Sequence, residues 1–414
     1  ATGQIQSSGA GQLFGKWIFD ELVTAKTRRE DSNVQIWHDS MSLLEKRVKL
    51  GSIAGLEPED RAEAARQLAD RINADVVIYG YLTPPASPSE LVLEFYVQPR
   101  VRGEANVTIG RYQLGEPILV PEGFDATDTL AKEALGSRIA DRAAALFWLL
   151  LGLREDLLGR SEEALAIFLQ AEEELPRWAE QGEGKEILYF FVGRSALFLG
   201  RYAEAEEALQ KALALDPDYA RAQIVLAGVE YRRIENLLHN PETPLEVEDV
   251  QAARDRAQQT IGSYQKALDL AESAHEPLIE IIARLALASA YRLQGEIHFW
   301  LQEDAQANDN FDQAIQEIVP VLDPLAEARQ YRILAQAYLS LGAAHTQQAE
   351  ILRKQGDVAG SRTLYRLAQE AYSACIAQEL RVPEDEILRS RIIEASCEPW
   401  NSYVEETLVA LGGE

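Results

Sequence analysis

Two stretches of this chain carry the same ordered set of residues, and this repetition constrains the fold more than any other feature. The order is large apolar, aliphatic, Gly, Gly, Ala, aromatic or Leu, Ala and Pro. The two series are Trp148, Leu151, Gly152, Gly159, Ala164, Phe168, Ala171, Pro176 and Tyr189, Val192, Gly193, Gly200, Ala205, Leu209, Ala212, Pro217. A repeated unit of this kind cannot bury its apolar face alone, so neighbouring units are expected to stack around a continuous core.

The order resembles the tetratricopeptide repeat, a two-helix unit of about 34 residues. In that family the small residues let helix A and helix B of one hairpin approach closely, and large residues fill the space between hairpins. Pro ends helix B, because it cannot continue the helical hydrogen bonding. The resemblance implies an array that binds other molecules, so function is expected on a surface and not at a catalytic centre.

The same register continues with less regular spacing after the two clear repeats. We predict about five repeats over residues 126–380, with an insertion near 235–255, and capping helices over residues 381–414. The insertion contains His239, two prolines and the acidic run Glu242 to Asp249. Further repeat positions are Leu226, Ala227, Tyr264 and Ala267 in the third unit; Tyr291, Gly295, Ala307, Phe311 and Ala314 in the fourth; Tyr338, Leu341, Gly342, Tyr365, Ala368, Tyr372 and Cys375 in the fifth. Pro320 and Pro324 are expected to close the fourth unit.

Residues 1–125 follow a different pattern, in which helical and strand periodicities alternate. Gly11 to Lys26 predicts a helix, Asn33 to Trp37 a short strand, and Pro58 the start of a second helix. The apolar run Ala74 to Leu82 is typical of a strand inside a sheet, and Leu91 to Val97 alternates like its antiparallel partner. The predicted fold class is α+β: a small α/β domain followed by an all-α superhelical repeat array.

The stretch Ile72 to Gly80 resembles the amino-terminal α/β domain of TolB-like bacterial envelope proteins, in which a helix ending in "GAD" precedes a "VVxYG" strand. Such domains usually begin with one further strand, which is missing here because the residues before Gly11 read as a loop. We therefore expect a neighbouring domain upstream. The resemblance favours an extracytoplasmic or envelope location, with the cytoplasm as the alternative.

Charge and hydropathy exclude several classes of partner. The chain has a net charge of −27 at pH 7, which repels phosphate backbones and anionic membrane surfaces. The sequence has no apolar run of about 18 residues, so direct membrane insertion of this segment is not expected. Cys375 and Cys397 fall on segments predicted as different helices, which fits either buried free thiols or one disulfide.

The chain carries no motif for catalysis, and we predict neither a catalytic residue, a cofactor nor a metal site. A P-loop, a Gly-x-Gly-x-x-Gly turn and a Gly-x-Ser-x-Gly elbow are missing from the sequence. His298 and His345 occupy equivalent repeat positions and could face one another around a metal. Replacement of a core aromatic residue explains them better, because no other His or Cys lies near them at ligand-like spacing.

In the tetratricopeptide family, helix A residues line the concave wall of the array. Counting from the matched Gly of each repeat identifies the equivalent positions in this sequence. Among the 25 positions obtained, four are basic and two are acidic, the reverse of the whole sequence. We take as the candidate partner-binding groove Phe190, Arg194, Arg221, Tyr231, Arg232, Arg292, Phe299 and Trp300. Arginine interleaved with aromatic residues suits an extended peptide, either acidic or ending in a carboxylate. The structural alternative is that each Arg packs along its helix and pairs with Glu on the next turn.

Two functions follow from these observations. The first is a non-enzymatic scaffold or ligand sensor that binds a protein or peptide in the concave groove. The alternative is the sensor or regulatory portion of a larger bacterial signalling or defence enzyme, whose catalytic domain lies upstream of this segment.

Overall fold

The fold contains two compact units, residues 1–219 and 220–414, in a computed structural model of the chain. The structure describes residues 9–28, 34–38, 40–43, 46–83, 89–98, 106–121, 129–175, 178, 182–239, 246–381 and 397–412. Predictions made for Asn33, Pro176 and the acidic stretch up to residue 245 lie outside these ranges. None of the helices in the described ranges is long and apolar enough to cross a membrane.

The first unit begins with two helices and a small hairpin. Helix α1 spans Gly9–Arg28, strands β1 (Ser40–Leu43) and β2 (Lys46–Lys49) pair antiparallel, and α2 spans Pro58–Ile72. Pro at the first turn and Glu59 and Asp60 beside it favour the start of α2, and Asn73 in the left-handed region ends it. The short strand predicted from Asn33 to Trp37 is wrong in its described part, because residues 34–38 pair with no strand.

A four-stranded antiparallel sheet follows α2. It contains β3 (Val76–Leu82), β4 (Ser89–Val97), β5 (Gly110–Gln113) and β6 (Ile118–Val120), with β4 paired to all three others. Residues Ala65, Leu68 and Ile72 of α2 pack on Val77 and Tyr79 of β3, as the apolar face of the helix predicts. Both predicted strands and their antiparallel pairing are confirmed.

A charged cluster lies inside this domain at Glu94, whose carboxylate is fully buried. Arg61 donates two hydrogen bonds of 2.9 Å to it, and Arg111 donates a third of 3.0 Å. The guanidinium of Arg61 also lies 4.1 Å from the centre of the Tyr81 ring. A buried carboxylate is tolerated only with such partners, so the cluster fixes α2 against β4 and β5.

Two helical hairpins complete the first unit. They are α3 (Thr129–Leu157) with α4 (Ser161–Glu174), and α5 (Lys185–Phe198) with α6 (Tyr202–Leu215). Helix α3 is fastened to the sheet by Arg142, which donates to the carbonyl of Leu114 at 3.0 Å and to Glu183 at 2.6 Å. Desolvation opposes the charge of Glu183, but hydrogen bonds from Arg142 and Arg138 outweigh it and lower the pKa of Glu183.

The second unit is helical throughout its described residues. Its helices are α7 (Ala220–His239), α8 (Val247–Ser273), α9 (Pro277–Trp300), α10 (Asp304–Glu327), α11 (Tyr331–Lys354), α12 (Val358–Glu379) and α13 (Glu398–Ala410). The predicted insertion corresponds to a long α7 and α8. The prediction that Pro320 and Pro324 end the fourth unit is wrong, because both lie inside α10, which continues to Glu327.

The repeated glycines of the sequence are explained by two kinds of contact. The first Gly of each series faces a large side chain of its partner helix, and the pairs are Gly152 with Phe168, Gly193 with Leu209, Gly295 with Phe311 and Gly342 with Tyr372. A Cβ added at each of these glycines would lie within 3 Å of that side chain. The second Gly, Gly159 or Gly200, has φ of 72° or 70°, which lets the chain turn tightly from helix A into helix B.

The two cysteines form a disulfide in the second unit. Cys375 of α12 and Cys397, which directly precedes α13, have Cα atoms 6.2 Å apart, and both side chains are buried with Ala335. Of the two alternatives left open by the sequence, the disulfide is therefore correct. The bridge holds the start of α13 against α12.

Replacing both cysteines by serine is expected to lower the free energy of unfolding by about 3 kcal/mol, because the cross-link closes a loop with a sequence separation of 22. Urea unfolding of the second unit, followed under non-reducing conditions, measures the difference. With a reducing agent present the wild type should lose most of its advantage. Equal stability of both proteins without reductant would contradict the assignment of a stabilising disulfide.

Candidate functional site

The second unit contains a groove with a volume of about 1160 Å³. Its walls come from α7, α9, α11, α12 and α13. The lining residues are Arg232, Glu235, Asn236, His239, Arg292, Glu296, Phe299, Trp300, Leu339, Ser340, Ala343, Thr346, Gln347, Tyr372 and Trp400. A volume of this order slightly exceeds the usual range of small-molecule sites and has room for several side chains of a peptide.

The groove brings together many helix A positions expected on the concave wall. Nine of the fifteen positions derived for the third to fifth repeats line it: Arg232, Arg292, Glu296, Phe299, Trp300, Leu339, Ala343, Thr346 and Gln347. Four of the eight predicted site residues are among them. Tyr231 lies beside the groove, packed against the core around Ile234 and Leu293.

Three predicted site residues are buried. Phe190 is 0% exposed and packs on the rings of Phe191 and Tyr219, and Arg194 is 3% exposed. Arg221 is also 3% exposed. We therefore leave these three residues out of the candidate surface.

The burial of helix A positions in the first unit has a physical cause. Tyr112 of the sheet stacks on Phe95, and its ring centre lies 5.9 Å from that of Phe191 in α5. Leu153 and Leu157 of α3 line a mainly apolar cavity of about 1230 Å³, together with α1 and β3. The concave positions Leu153 and Leu157 thus share a cavity with residues of the α/β segment.

The arginines of the groove are already paired with carboxylates of the same helix. Arg232 donates to Glu235 at 2.7 Å, and Arg292 donates to Glu296 one turn further along α9. Gln347 of α11 donates to the same Glu296 oxygen. The two arginines and two glutamates of the groove lining therefore balance one another in charge.

Burial and neighbouring charges hold these groups in defined protonation states. Desolvation opposes the charge of Arg292, but Glu296 more than compensates, so the pKa of Arg292 is raised and the side chain stays charged. Burial raises the pKa of Tyr231 and of Tyr372 to about 12. Both tyrosines therefore remain neutral hydrogen-bonding groups at physiological pH.

Large aromatic side chains of the groove remain open to solvent. Phe299 is 36% exposed, and Trp300 and Trp400 are each 50% exposed. We call these three residues the aromatic rim. Trp400 was not predicted from the sequence, because it belongs to the last helix and nothing in the repeat register places that helix beside α9.

His298 and His345, the two histidines that could have been metal ligands, are placed among other groups in the structure. His298 Nδ1 lies 2.5 Å from Glu303 Oε2, and burial lowers the pKa of His345. Within the described ranges, no group of three or more His, Cys, Asp or Glu side chains is placed to hold a metal ion.

Comparison with known proteins places the repeat in a family. Residues 187–219, which form α5, α6 and the turn after them, match the family model of the tetratricopeptide repeat. A search of curated proteins gives no match. None of the results supports the resemblance of the α/β segment to TolB-like domains, which stays a prediction.

Solved structures similar to the chain include two bacterial proteins. TTC0263, a thermophilic TPR protein of Thermus thermophilus, is 18% identical and aligns over 57% of this chain and 96% of its own, with a TM-score of 0.32. PilF of Pseudomonas aeruginosa is 15% identical over 66% of this chain and 93% of its own, with a TM-score of 0.34. Because these TM-scores are low, we base no inference on either protein.

The family match and the glycine contacts agree on the same register. The matched segment begins two residues before Tyr189 and contains Gly193 and Leu209, which touch as the repeat requires. Proteins with such repeats generally act as non-catalytic scaffolds for other proteins. Residues 187–219 of this chain therefore form a tetratricopeptide repeat.

Proposed function

We propose that the chain is a non-enzymatic scaffold that holds an extended segment of a partner protein in the groove of its second unit. The groove is open, its walls come from five helices, and its lining combines polar side chains with the aromatic rim. These features suit a peptide better than a reaction centre, because catalysis needs a nucleophile or an acid–base pair directed at one position. The convergence of nine helix A positions on one cavity is the observation that carries the proposal.

The sequence predicts an acidic peptide or a terminal carboxylate for this segment. A carboxylate would have to compete with Glu235 and Glu296 for the groove arginines. The proposed function does not depend on this point, since any extended segment that fills the groove satisfies it.

A groove-filling substitution tests the proposal without assuming what the partner is. Ala343 of α11 lines the groove, so Ala343→Arg would place a long side chain where the partner is expected. We expect this variant to weaken binding about a hundredfold, measured by calorimetry with a partner first isolated from the native organism and then purified.

Val319→Arg is the matched control, because Val319 is 52% exposed on α10 and does not line the groove. It should bind like the wild type, and both variants should keep the melting temperature. A partner that binds the Ala343→Arg variant at full strength would refute the proposed site.

A further inference from the structure

We infer that the groove recognises a large apolar or aromatic side chain of an uncharged peptide stretch, seated on the aromatic rim, and not a carboxylate. This inference rests on the proposed function and specifies the chemistry of the partner.

The charge balance of the groove argues against an acidic ligand. Each arginine already has a carboxylate partner within the lining, and Glu296 is held from two sides by Arg292 and Gln347. An incoming carboxylate would approach Glu235 or Glu296 as a like charge or would have to displace one of them. Displacement would leave a partly buried glutamate without its counter-ion, which opposes the binding of an acidic ligand.

The aromatic rim supplies the energy that the arginines do not. Half of the surface of Trp300 and of Trp400 is open to water, and Phe299 is one-third exposed. Covering such rings removes a large apolar area from water, and tryptophan is among the residues most often found to dominate binding energy. Leu339 and Ala343 extend the same apolar wall along α11.

Gln347 strengthens the hold on Glu296. Its Nε2 donates to the Glu296 carboxylate, which fixes the amide orientation because only the nitrogen can donate to a carboxylate. A ligand carboxylate would therefore meet a Glu296 that already accepts from Arg292 and Gln347.

Trp400 is a specificity-determining residue for this partner. It is held at the groove because the disulfide lies three residues before it and because Val404 and Leu408 are buried against Tyr365 and Tyr372. Tyr403 also donates to Glu350 at 2.5 Å, from α13 to α11. The ring is therefore placed by a rigid helix, which lowers the entropic cost of binding.

A random peptide library displayed on phage tests the inference, with selection against the full chain at physiological salt. The selected peptides are then synthesised, and their affinities are measured for the wild type and for six variants. These are Trp300→Ala, Trp400→Ala, Arg232→Ala, Arg292→Ala, Ala343→Arg and the control Val319→Ala. We expect enrichment of uncharged peptides carrying Trp, Phe or Leu. Each tryptophan substitution should weaken their binding on the order of tenfold to a hundredfold, and Val319→Ala should leave it unchanged.

The possible results separate the inference from the proposed function. One result would overturn the inference and leave the proposed function intact. It is the selection of acidic peptides whose binding depends on Arg232 and Arg292 but not on Trp300 or Trp400. Selection of basic peptides that bind every variant equally would also contradict the inference, because such peptides would bind only through the overall negative charge of the chain. Failure of every selected peptide to depend on any groove residue, including Ala343→Arg, would overturn the proposed function itself.

Discussion

Gly295→Ala is expected to lower the free energy of unfolding of the second unit by about 2 kcal/mol. Alanine normally stabilises a helix by about 1 kcal/mol relative to glycine. Here the new Cβ would lie 2.7 Å from Cδ1 of Phe311, a ring that is fully buried and cannot move away. Overpacking of this kind costs about 1–3 kcal/mol, so the steric cost exceeds the gain in helix propensity. Chemical denaturation measures the change.

Gly262→Ala is the matched control, because Gly262 lies within α8 and an added Cβ there would meet nothing within 4 Å. This variant should be stabilised by about 0.5–1 kcal/mol. In a Phe311→Ala background, Gly295→Ala should become neutral or stabilising, since the methyl group then enters vacated space. If Gly295→Ala stabilises the wild type as Gly262→Ala does, the repeat register assigned to α9 and α10 is wrong.

Arg194→Ala is expected to destabilise the first unit by about 3–5 kcal/mol, the usual cost of leaving a buried charge without its partner. Arg194 of α5 pairs with Asp156 of α3, and the side chains are only 4% and 2% exposed. The arginine also stacks over Phe198, 4.5 Å from the ring centre. Thermal unfolding followed by circular dichroism should show a clear fall in melting temperature.

Arg201→Ala is the control for this prediction, because the Arg201–Glu162 pair is largely exposed and such pairs contribute about 0–1 kcal/mol. The structure thus changes the meaning of Arg194. From the sequence alone, its loss is expected to affect binding and leave stability intact. An unchanged melting temperature in Arg194→Ala would contradict the structural role and favour the sequence-based hypothesis that Arg194 binds a partner.

The repeat architecture could be predicted from the sequence because close helix packing demands small residues at fixed positions. Gly152, Gly193, Gly295 and Gly342 each receive a bulky side chain from a partner helix, and no larger residue fits. The strands β3 and β4 were predictable from their apolar patterns. A short continuous apolar run and an alternating one both favour a strand over other secondary structure. Nine helix A positions obtained from the same register line one groove.

Other features depend on contacts that no spacing in the sequence reveals. Phe190, a concave position of the first unit, is buried because it packs on Phe191 and Tyr219. The concave positions Leu153 and Leu157 line a cavity together with α1 and β3. Among the helix A positions that line the groove, two arginines, Arg232 and Arg292, stand against one glutamate, Glu296. Glu235, which is not a helix A position of the concave wall, cancels this difference. Trp400 enters the groove through a helix that follows the repeats, so the repeat pattern contains no signal for it.

Both proposals depend on the groove of the second unit holding the partner, and site-specific photo-crosslinking determines whether it does. A benzophenone amino acid is placed at position 299 in the aromatic rim or at position 319 on the outer face of α10, and the crosslinked partner peptide is sequenced. We expect position 299 to crosslink one continuous segment containing a large apolar residue, and position 319 to crosslink little. Equal crosslinking from both positions, or crosslinks from position 299 scattered over the partner, would show that the groove is not where the partner binds.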